Sequence, residues 1–120
     1  MKVTSQYKTT KAYQTRDGSE IRELVHPDLH HNTNQSFAEA IVYSGETTHL
    51  HFHEKSEEIY YITEGEGLMT LDQERFNVVA GDSICIKPGT VHCIENISRK
   101  PLQILCMCAP AYSHDDTHLV

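Results

Sequence analysis

The stretch Gly45-Glu-Thr-Thr-His-Leu-His-Phe-His-Glu-Lys-Ser-Glu-Glu-Ile-Tyr-Tyr-Ile-Thr-Glu-Gly65 carries most of the recognisable chemistry of this 120-residue chain. Within it, His51 and His53 alternate on a predicted strand, and Glu58 follows after a short turn. Because residues i and i+2 of a strand point to the same face, the two imidazoles can converge on a single ion. A carboxylate from the next strand can complete one side of that ion's coordination. The stretch therefore predicts a metal site.

The spacing within this stretch is more informative than its histidine pair. The chain has nine histidines, so a His-x-His match arises easily by chance, and His49 with His51 forms a second, overlapping match. The longer pattern, with a glycine before the pair and a glutamate and a second glycine after it, is far rarer. Only His51 and His53 keep the spacing to Glu58, so His49 is not predicted to be a ligand. In a regular strand it shares the face of His51, and it is either a neighbour of the site or a solvent-exposed strand end.

A second stretch, Gly81-Asp-Ser-Ile-Cys-Ile-Lys-Pro-Gly-Thr-Val-His-Cys-Ile-Glu-Asn96, supplies a third imidazole. It places His92 just after the turn signal Pro88-Gly89, at the start of a predicted strand. If this strand neighbours the first one, three nitrogens and one oxygen surround an ion.

The remainder of the chain predicts a β scaffold. Short runs rich in β-branched and aromatic residues are separated by turn signals, and no segment of about ten residues has a convincing helical period. We therefore predict an all-β fold, an antiparallel sandwich or barrel. The predicted strands are Glu20 to Val25, Phe37 to Tyr43, Thr47 to His53, Glu57 to Thr63, Leu68 to Leu71, Phe76 to Val79, Asp82 to Ile86, Val91 to Glu95 and Leu102 to Cys108.

The length of the chain is that of one domain. Residues 1–19 are predicted to form an N-terminal arm, because they are polar and end near the turn signal Asp17-Gly18. Residues 20–112 are predicted to form the β domain. Residues 113–120 are predicted to form a C-terminal tail that lies over the surface or on a neighbouring subunit.

Composition excludes several partners. A net charge of -7 argues against a nucleic acid or an anionic membrane surface. The chain has neither an apolar run of membrane-spanning length nor the apolar segment of a secretory signal, so we expect a cytoplasmic location. The cysteines lie in apolar strand-like runs without C-x-x-C spacing, and we interpret them as reduced, buried thiols, with a disulfide or a reactive thiol as alternatives. They are Cys85, Cys93, Cys106 and Cys108.

Both stretches resemble the two sequence motifs of the cupin superfamily. The first matches G(X)5HXH(X)3-4E(X)6G, and the second matches G(X)5PXG(X)2H(X)3N except that Lys87 stands where the family usually has its first proline. Pro88 follows directly, so the departure affects the local turn and leaves the metal histidine in register. The matching positions are Gly45, His51, His53, Glu58 and Gly65 in the first motif, and Gly81, Gly89, His92 and Asn96 in the second.

The resemblance implies a small jelly-roll barrel, the double-stranded β-helix of the cupins. It implies that His51, His53, Glu58 and His92 point inward and bind a divalent transition metal, for which this ligand set suits Mn, Fe, Ni, Co, Cu or Zn. Small single-domain cupins are commonly homodimers whose N-terminal strands pair across the interface. This implies a homodimer in which residues 1–25 make the contact.

Residues beside the ligands leave alternatives open. Glu57 competes with Glu58 for the carboxylate role, and the motif spacing favours Glu58. Tyr60 has the parity of Glu58, so it either orients Glu58 or a substrate oxygen, or is a core tyrosine bonded elsewhere. The alternating small residues Ser36, Ala38 and Ala40 either leave room for a ligand or fit the taper of the barrel.

Three imidazoles and one carboxylate leave open positions on an octahedral ion, which is the arrangement that catalysis needs. We expect a metal-dependent enzyme, a dioxygenase or an isomerase or lyase, acting on a small oxygen-rich metabolite that chelates the metal. In that role Glu58 moves a proton or stays ligated, and Tyr60 acts beside it. The alternative is a non-catalytic module that binds or senses a sugar or a small acid.

Overall fold

The computed structural model describes residues 3–120, and this part of the chain is almost entirely β structure. Beyond the strands it contains two single-turn 3-10 helices, Tyr7–Thr9 and His114–Asp116. No helix in the described residues is long and apolar enough to cross a membrane. The strands are β1 (Tyr13–Gln14), β2 (Glu20–Val25), β3 (Ser36–Val42), β4 (His51–His53), β5 (Glu57–Glu64), β6 (Glu66–Leu71), β7 (Glu74–Val79), β8 (Ser83–Ile86), β9 (His92–Asn96), β10 (Leu102–Ala109) and β11 (Thr117–Leu119).

Two antiparallel sheets form a jelly roll, which confirms the predicted all-β fold. One sheet has the order β1-β2-β3-β10-β5-β8, and the other has the order β11-β4-β9-β6-β7. The burial of side chains alternates along β5 and β10, as expected for strands with one face toward a core. The most deeply buried apolar side chains are Ile62, Met69, Ile86, Ile94, Leu102 and Ile104.

Turns of the two motifs hold the strands in register. The backbone of Gly65 has a φ of 91°, and a Cβ there would lie 2.9 Å from the carbonyl oxygen of Pro101. Only glycine therefore fits this close passage of the chain. Gly89 has a φ of 82°, and its N–H donates to the His53 carbonyl at 2.7 Å. The unusual Lys87-Pro88 sequence thus still makes a turn that ties the second motif to the first.

The side chain of Asn96, the last residue of the second motif, connects the loops around it by hydrogen bonds. Its side chain is 2% exposed, and its amide donates to the carbonyls of Val42 and Lys100 at 2.9 and 2.7 Å. Its Oδ1 accepts from both the N–H and the hydroxyl of Ser98. A buried amide with all of its hydrogen-bonding capacity used stabilises one arrangement of these loops.

The N-terminal segment folds back on its own barrel. The hydroxyl of Tyr7 donates to Glu39 of β3 at 2.6 Å, and the Arg22 guanidinium lies 5.0 Å from the centre of the Tyr7 ring. β1 pairs with β2 at the edge of the six-stranded sheet. The turn between β1 and β2 reaches across to the first motif, where the carbonyl of Asp17 accepts from His49 N–H at 2.7 Å.

The C-terminal residues extend the second sheet. β11 pairs with β4 along Thr117, His118 and Leu119, and Thr117 is 3% exposed. The segment predicted as a tail thus lies on this chain's own barrel, as an ordered strand. Three residues are too few for an alternating pattern to predict a strand.

Candidate metal centre

Strands β4 and β9 bring three imidazoles together at one end of the barrel interior. His51 pairs directly with His92 across the two strands, and His53 lies two residues further along β4 on the same face. One ligand atom from each of the three lies within 4.8 Å of the others. All three side chains are buried, with exposed fractions of 2%, 4% and 0% for His51, His53 and His92.

Hydrogen bonds at Nδ1 direct Nε2 of each ring into the centre. Nδ1 of His51 lies 2.7 Å from the His49 carbonyl, and Nδ1 of His92 lies 2.8 Å from the Thr90 carbonyl. A carbonyl oxygen only accepts, so the proton of each neutral ring is on Nδ1 and the lone pair is on Nε2. This arrangement is typical of histidines that bind metals through Nε2.

The third imidazole is held by β11. The Thr117 hydroxyl donates its only proton to the Ser113 carbonyl at 2.9 Å. Its oxygen, 3.2 Å from His53 Nδ1, therefore accepts a hydrogen bond from that ring. Thr117 thus fixes His53 in the same tautomer as the other two histidines.

Glu58 faces the three rings from β5 in the opposite sheet. Its Oε1 lies 3.2 Å from Nε2 of His53 and 3.5 Å from Nε2 of His92. Its Oε2 accepts a hydrogen bond from the Cys108 thiol at 3.3 Å. The neighbouring Glu57 is exposed on the outer face of the strand. The geometry thus brings Glu58, and not Glu57, to the histidine cluster.

The donor set fits a cation. Oε1 of Glu58 and Nε2 of His92 are buried without a hydrogen-bond partner in the described residues. With the ring protons on Nδ1, lone pairs and a carboxylate oxygen face one another, which is unfavourable without positive charge between them. A divalent transition ion supplies that charge and accepts nitrogen and oxygen ligands together.

Electrostatics of the cluster favour the metal-binding forms of His51 and Glu58, whereas Glu58 stabilises the protonated form of His53. Burial lowers the pKa of His51, and the adjacent His92 lowers it further. Burial opposes charge on His53 as well, but Glu58 raises the pKa of this ring above its ordinary value. Burial alone would raise the pKa of Glu58, whereas the His53 and His92 imidazoles hold it well below the usual range. Glu58 is therefore ionised at neutral pH.

A small cavity opens beside the cluster. The predicted small residues of β3, Ser36, Ala38 and Ala40, all lie in its wall. The space open to water centres is about 40 Å³, which on this measure holds about three waters. An ion with a ligand of a few heavy atoms fits this space. The other wall residues are Thr15, Asp17, Ser19, Ile21, Glu23, Val42, Thr48, Ile94, Ile104, Cys106, Tyr112 and Thr117, together with His51, His53 and Glu58 of the cluster and the neighbouring Tyr60 and Cys108.

Tyr60 lies in the cavity wall, with its ring centre 6.1 Å from that of His92. Its side chain points inward and is 5% exposed, whereas Ile59 and Tyr61 on either side are 41% and 40% exposed, as the strand parity predicts. Burial raises the pKa of Tyr60 well above its ordinary value. The residue therefore keeps its phenol proton in the wall of the cavity.

Two sequence interpretations need correction. His49 does not share the face of His51, because β4 begins only at His51; the His49 side chain is exposed and its backbone carbonyl contacts the site. The cysteines are all free, but only Cys106 and Cys108 are buried, while Cys85 is exposed on the outer face of β8. Cys108 does not act only as a small apolar side chain, since its thiol donates a hydrogen bond to Glu58.

Three residues at the site were not identified by sequence reasoning. They are Asp17, whose Oδ2 lies 3.7 Å from Nε2 of His51, and the two residues that position ligand side chains, Thr117 and Cys108. The parity of Cys108 relative to its strand was a usable signal, because β10 alternates inward and outward. No local pattern marks Asp17 or Thr117.

Fold and site together define a jelly-roll protein with an internal cluster of three histidines that forms a candidate transition-metal site. The sequence model of the cupin domain family matches residues 38–108 of this chain. The chain belongs to the cupin family.

Relatives and solved structures agree with this assignment. An uncharacterized protein of Methanocaldococcus jannaschii is 55% identical over 118 residues, which cover 98% of this chain and 94% of that protein. An oxalate-binding protein of Thermotoga maritima is 33% identical over 88 residues, which cover 73% of each chain. The crystal structure of a predicted oxalate decarboxylase from Thermotoga maritima superposes with a TM-score of 0.76 at 30% identity, covering 92% of this chain and 99% of that one.

Replacement of both paired histidines, His51→Ala with His92→Ala, is expected to abolish metal binding while the barrel still folds. Two of the three converging nitrogens disappear, and the remaining donors cannot hold an ion. Elemental analysis after metal loading measures the bound ion, and circular dichroism checks the fold.

The matched control for this pair is His31→Ala with His118→Ala, which also disrupts a partly exposed group of Glu54, Asp116 and His118. The control should retain one ion per chain. Retention of one ion by the His51 and His92 variant would show that the metal binds elsewhere.

Replacement of Thr117 by Val is expected to weaken metal binding about 10-fold to 100-fold, because the His53 ring loses the acceptor that fixes its tautomer and direction. Thr117→Ser keeps the hydroxyl and should restore affinity to within about threefold of the wild type. Isothermal titration with Ni²⁺ or Zn²⁺ measures the difference. Equal affinities for the Val and Ser variants would contradict this role of β11.

Proposed function

We propose that this protein is a metal-dependent enzyme, a dioxygenase or an isomerase or lyase, that acts on a small oxygen-rich metabolite. The observation that carries the proposal is the cluster of three imidazole Nε2 atoms and one carboxylate oxygen, two of them buried without a partner, at the wall of a small cavity. His51, His53, His92 and Glu58 would hold the ion. When bound, the ion supplies Lewis-acid chemistry that polarises a carbonyl or carboxylate oxygen of the ligand.

The size of the cavity supports a small substrate. Its room for about three waters suits a compound of two to four carbons whose neighbouring oxygens reach the centre together. The Thermotoga maritima relatives are named for oxalate, a two-carbon acid of this kind. Their names support the class of small oxygen-rich acids for this chain.

Glu58 and Tyr60 are the candidate proton-handling residues. Glu58 is ionised and touches both His53 and His92, so it is placed to accept a proton from a group at the centre. Tyr60 keeps its proton and lies in the same wall, so it is placed to donate a hydrogen bond to a ligand oxygen. A buried base and a buried donor on one wall are what proton transfer at a bound acid requires.

A non-catalytic binding role is the second candidate. Part of the cavity wall away from the cluster is aliphatic, including Ile21, Val42, Ile94 and Ile104, and a 33% identical relative is named as a binding protein. A site of this kind could capture a small acid on its metal without transforming it.

We also propose a homodimer. The outer face of the six-stranded sheet has two neighbouring rows of partly exposed apolar side chains, and such a patch fits a second copy related by a twofold axis. The rows are Phe37, Met107, Ile59 and Cys85 in one, and Leu105 and Tyr61 in the other.

Turnover distinguishes the two functions. The metal-loaded protein is expected to convert a member of a panel of two-carbon to four-carbon hydroxy, keto and dicarboxylic acids, followed by NMR and oxygen consumption. Tyr60→Phe should lower that turnover about 100-fold while ion and ligand affinities change by less than about threefold, since only a hydroxyl is removed. Tyr61→Phe, which changes the outward neighbour, should have no effect. Tight binding without conversion of any panel member would favour the binding module.

A substitution within the apolar rows tests the proposed dimer interface. Ile59→Lys places a charge at the centre of the patch and is expected to shift sedimentation from dimer to monomer at micromolar concentration. Val79→Lys, at a similarly exposed apolar position on the other sheet, should leave the dimer intact. A monomeric wild type, or a dimeric Ile59→Lys variant, would contradict this interface.

A further inference from the structure

The turn between β1 and β2 delivers a second carboxylate to the metal centre. Oδ2 of Asp17 lies 3.7 Å from Nε2 of His51, on the ring atom that faces the other two histidines. The Asp17 side chain is 13% exposed and lies in the cavity wall. This residue lies outside the matched cupin domain, which begins at residue 38.

Hydrogen bonds hold Asp17 by one oxygen and leave the other available. Oδ1 accepts from the Thr15 hydroxyl at 2.6 Å, from Ser19 N–H at 2.9 Å and from the Ser19 hydroxyl at 2.6 Å. The Asp17 carbonyl accepts from His49 N–H, which anchors the turn on the segment before β4. Within residues 3–120, no hydrogen bond reaches Oδ2. A rigid carboxylate therefore presents an unused acceptor to the cavity.

The charges that line the cavity are all of one sign. Its carboxylates are Asp17, Glu23 and Glu58, and no Lys or Arg of the described residues lines it. Oε2 of Glu23 is buried without a partner in the described residues. Burial raises the pKa of this carboxyl group, which favours its neutral form, so Glu23 is left out of the charge balance. The two carboxylates nearest the histidines, Asp17 and Glu58, already match the charge of a divalent ion. A ligand with two negative charges would find no further positive charge here.

We propose that Asp17 selects ligands that present a hydroxyl group and have at most one negative charge, such as small α-hydroxy acids, over dianions. This rests on the proposed function, because it takes the metal centre as the place where the ligand binds. A carboxylate only accepts hydrogen bonds, so a ligand hydroxyl satisfies Oδ2 and a ligand carboxylate repels it. Asp17 is thus a specificity-determining residue for this site.

Oxalate and glycolate form a matched pair of probes. Both have two carbons and neighbouring oxygens, and they differ in that glycolate replaces one carboxylate by a hydroxyl. The association constants of both are measured by titration calorimetry on protein loaded with Ni²⁺, an ion that nitrogen ligands bind tightly. The quantity of interest is the ratio of oxalate to glycolate affinity, which is measured for free Ni²⁺ in the same buffer as a reference.

The wild-type ratio is expected to be at least about tenfold below that of free Ni²⁺. Asp17→Asn should raise the ratio at least about tenfold over the wild type, because the charge is removed and the side-chain shape is kept. The control Asp115→Asn removes an equal charge from an exposed position and should leave the ratio unchanged within about twofold.

The outcomes separate this inference from the proposed function. A wild type that binds no Ni²⁺ overturns both. A wild type that binds Ni²⁺ with the oxalate preference of the free ion overturns the selectivity alone, as does an unchanged ratio in Asp17→Asn. Loss of the ion from a folded Asp17→Asn variant would assign Asp17 to metal retention and also overturn its role in ligand choice. The comparison with free Ni²⁺ needs no variant, so a wild-type ratio equal to that of the free ion overturns the selectivity even if Asp17→Asn does not fold.

Discussion

The direction of three imidazole rings is the constraint on which the site depends. Nδ1 of each ring donates a hydrogen bond to an oxygen that has no proton to donate in exchange. Nε2 of each ring therefore faces the centre. For His51 and His92 that oxygen is the carbonyl two residues earlier in the chain. In a regular antiparallel ladder such a carbonyl would be bonded to a neighbouring strand or turned away. Both β4 and β9 begin at their histidine, which leaves the preceding backbone free to bend back and hold the ring.

The positions at which β4 and β9 begin also explain which parts of the site could be predicted from the sequence. The spacing of the motifs identified His51, His53, Glu58 and His92 because pairing and parity are fixed once a strand is under way. Extending the alternation backward from His51 put the His49 side chain on the wrong face, since the chain is irregular there. Asp17 and Thr117 could not be found at all. They reach the site through a turn and a three-residue strand, whose sequences carry no periodic pattern and whose partners are set by tertiary pairing alone.

Polarity changes in layers along the interior of three neighbouring strands, β3, β10 and β5. The paired residues step from a polar layer beside the histidines to an apolar layer that fills the core, and β5 keeps its alternation up to the irregularity after Ile62. The barrel can therefore bury a charged site at one end, while the apolar layers at the other end stabilise the fold. The layers, from site to core, are Ser36, Cys108 and Glu58; Ala38, Cys106 and Tyr60; Ala40, Ile104 and Ile62; and Val42 with Leu102.

Charge balance links this layered interior to the choice of ligand. A buried divalent ion must be neutralised by protein or by ligand, because an uncompensated charge in a low-dielectric interior is costly. Where histidines alone hold the ion, an anionic ligand supplies that compensation and is bound tightly for it. Here Glu58 and Asp17 stand at the same centre, and both reach it from the six-stranded sheet that faces the histidine strands. On the proposed selectivity the protein would supply the compensation itself, so a second negative charge on the ligand would be repelled, and hydrogen bonds and the small volume of the cavity would favour a hydroxyl-bearing ligand.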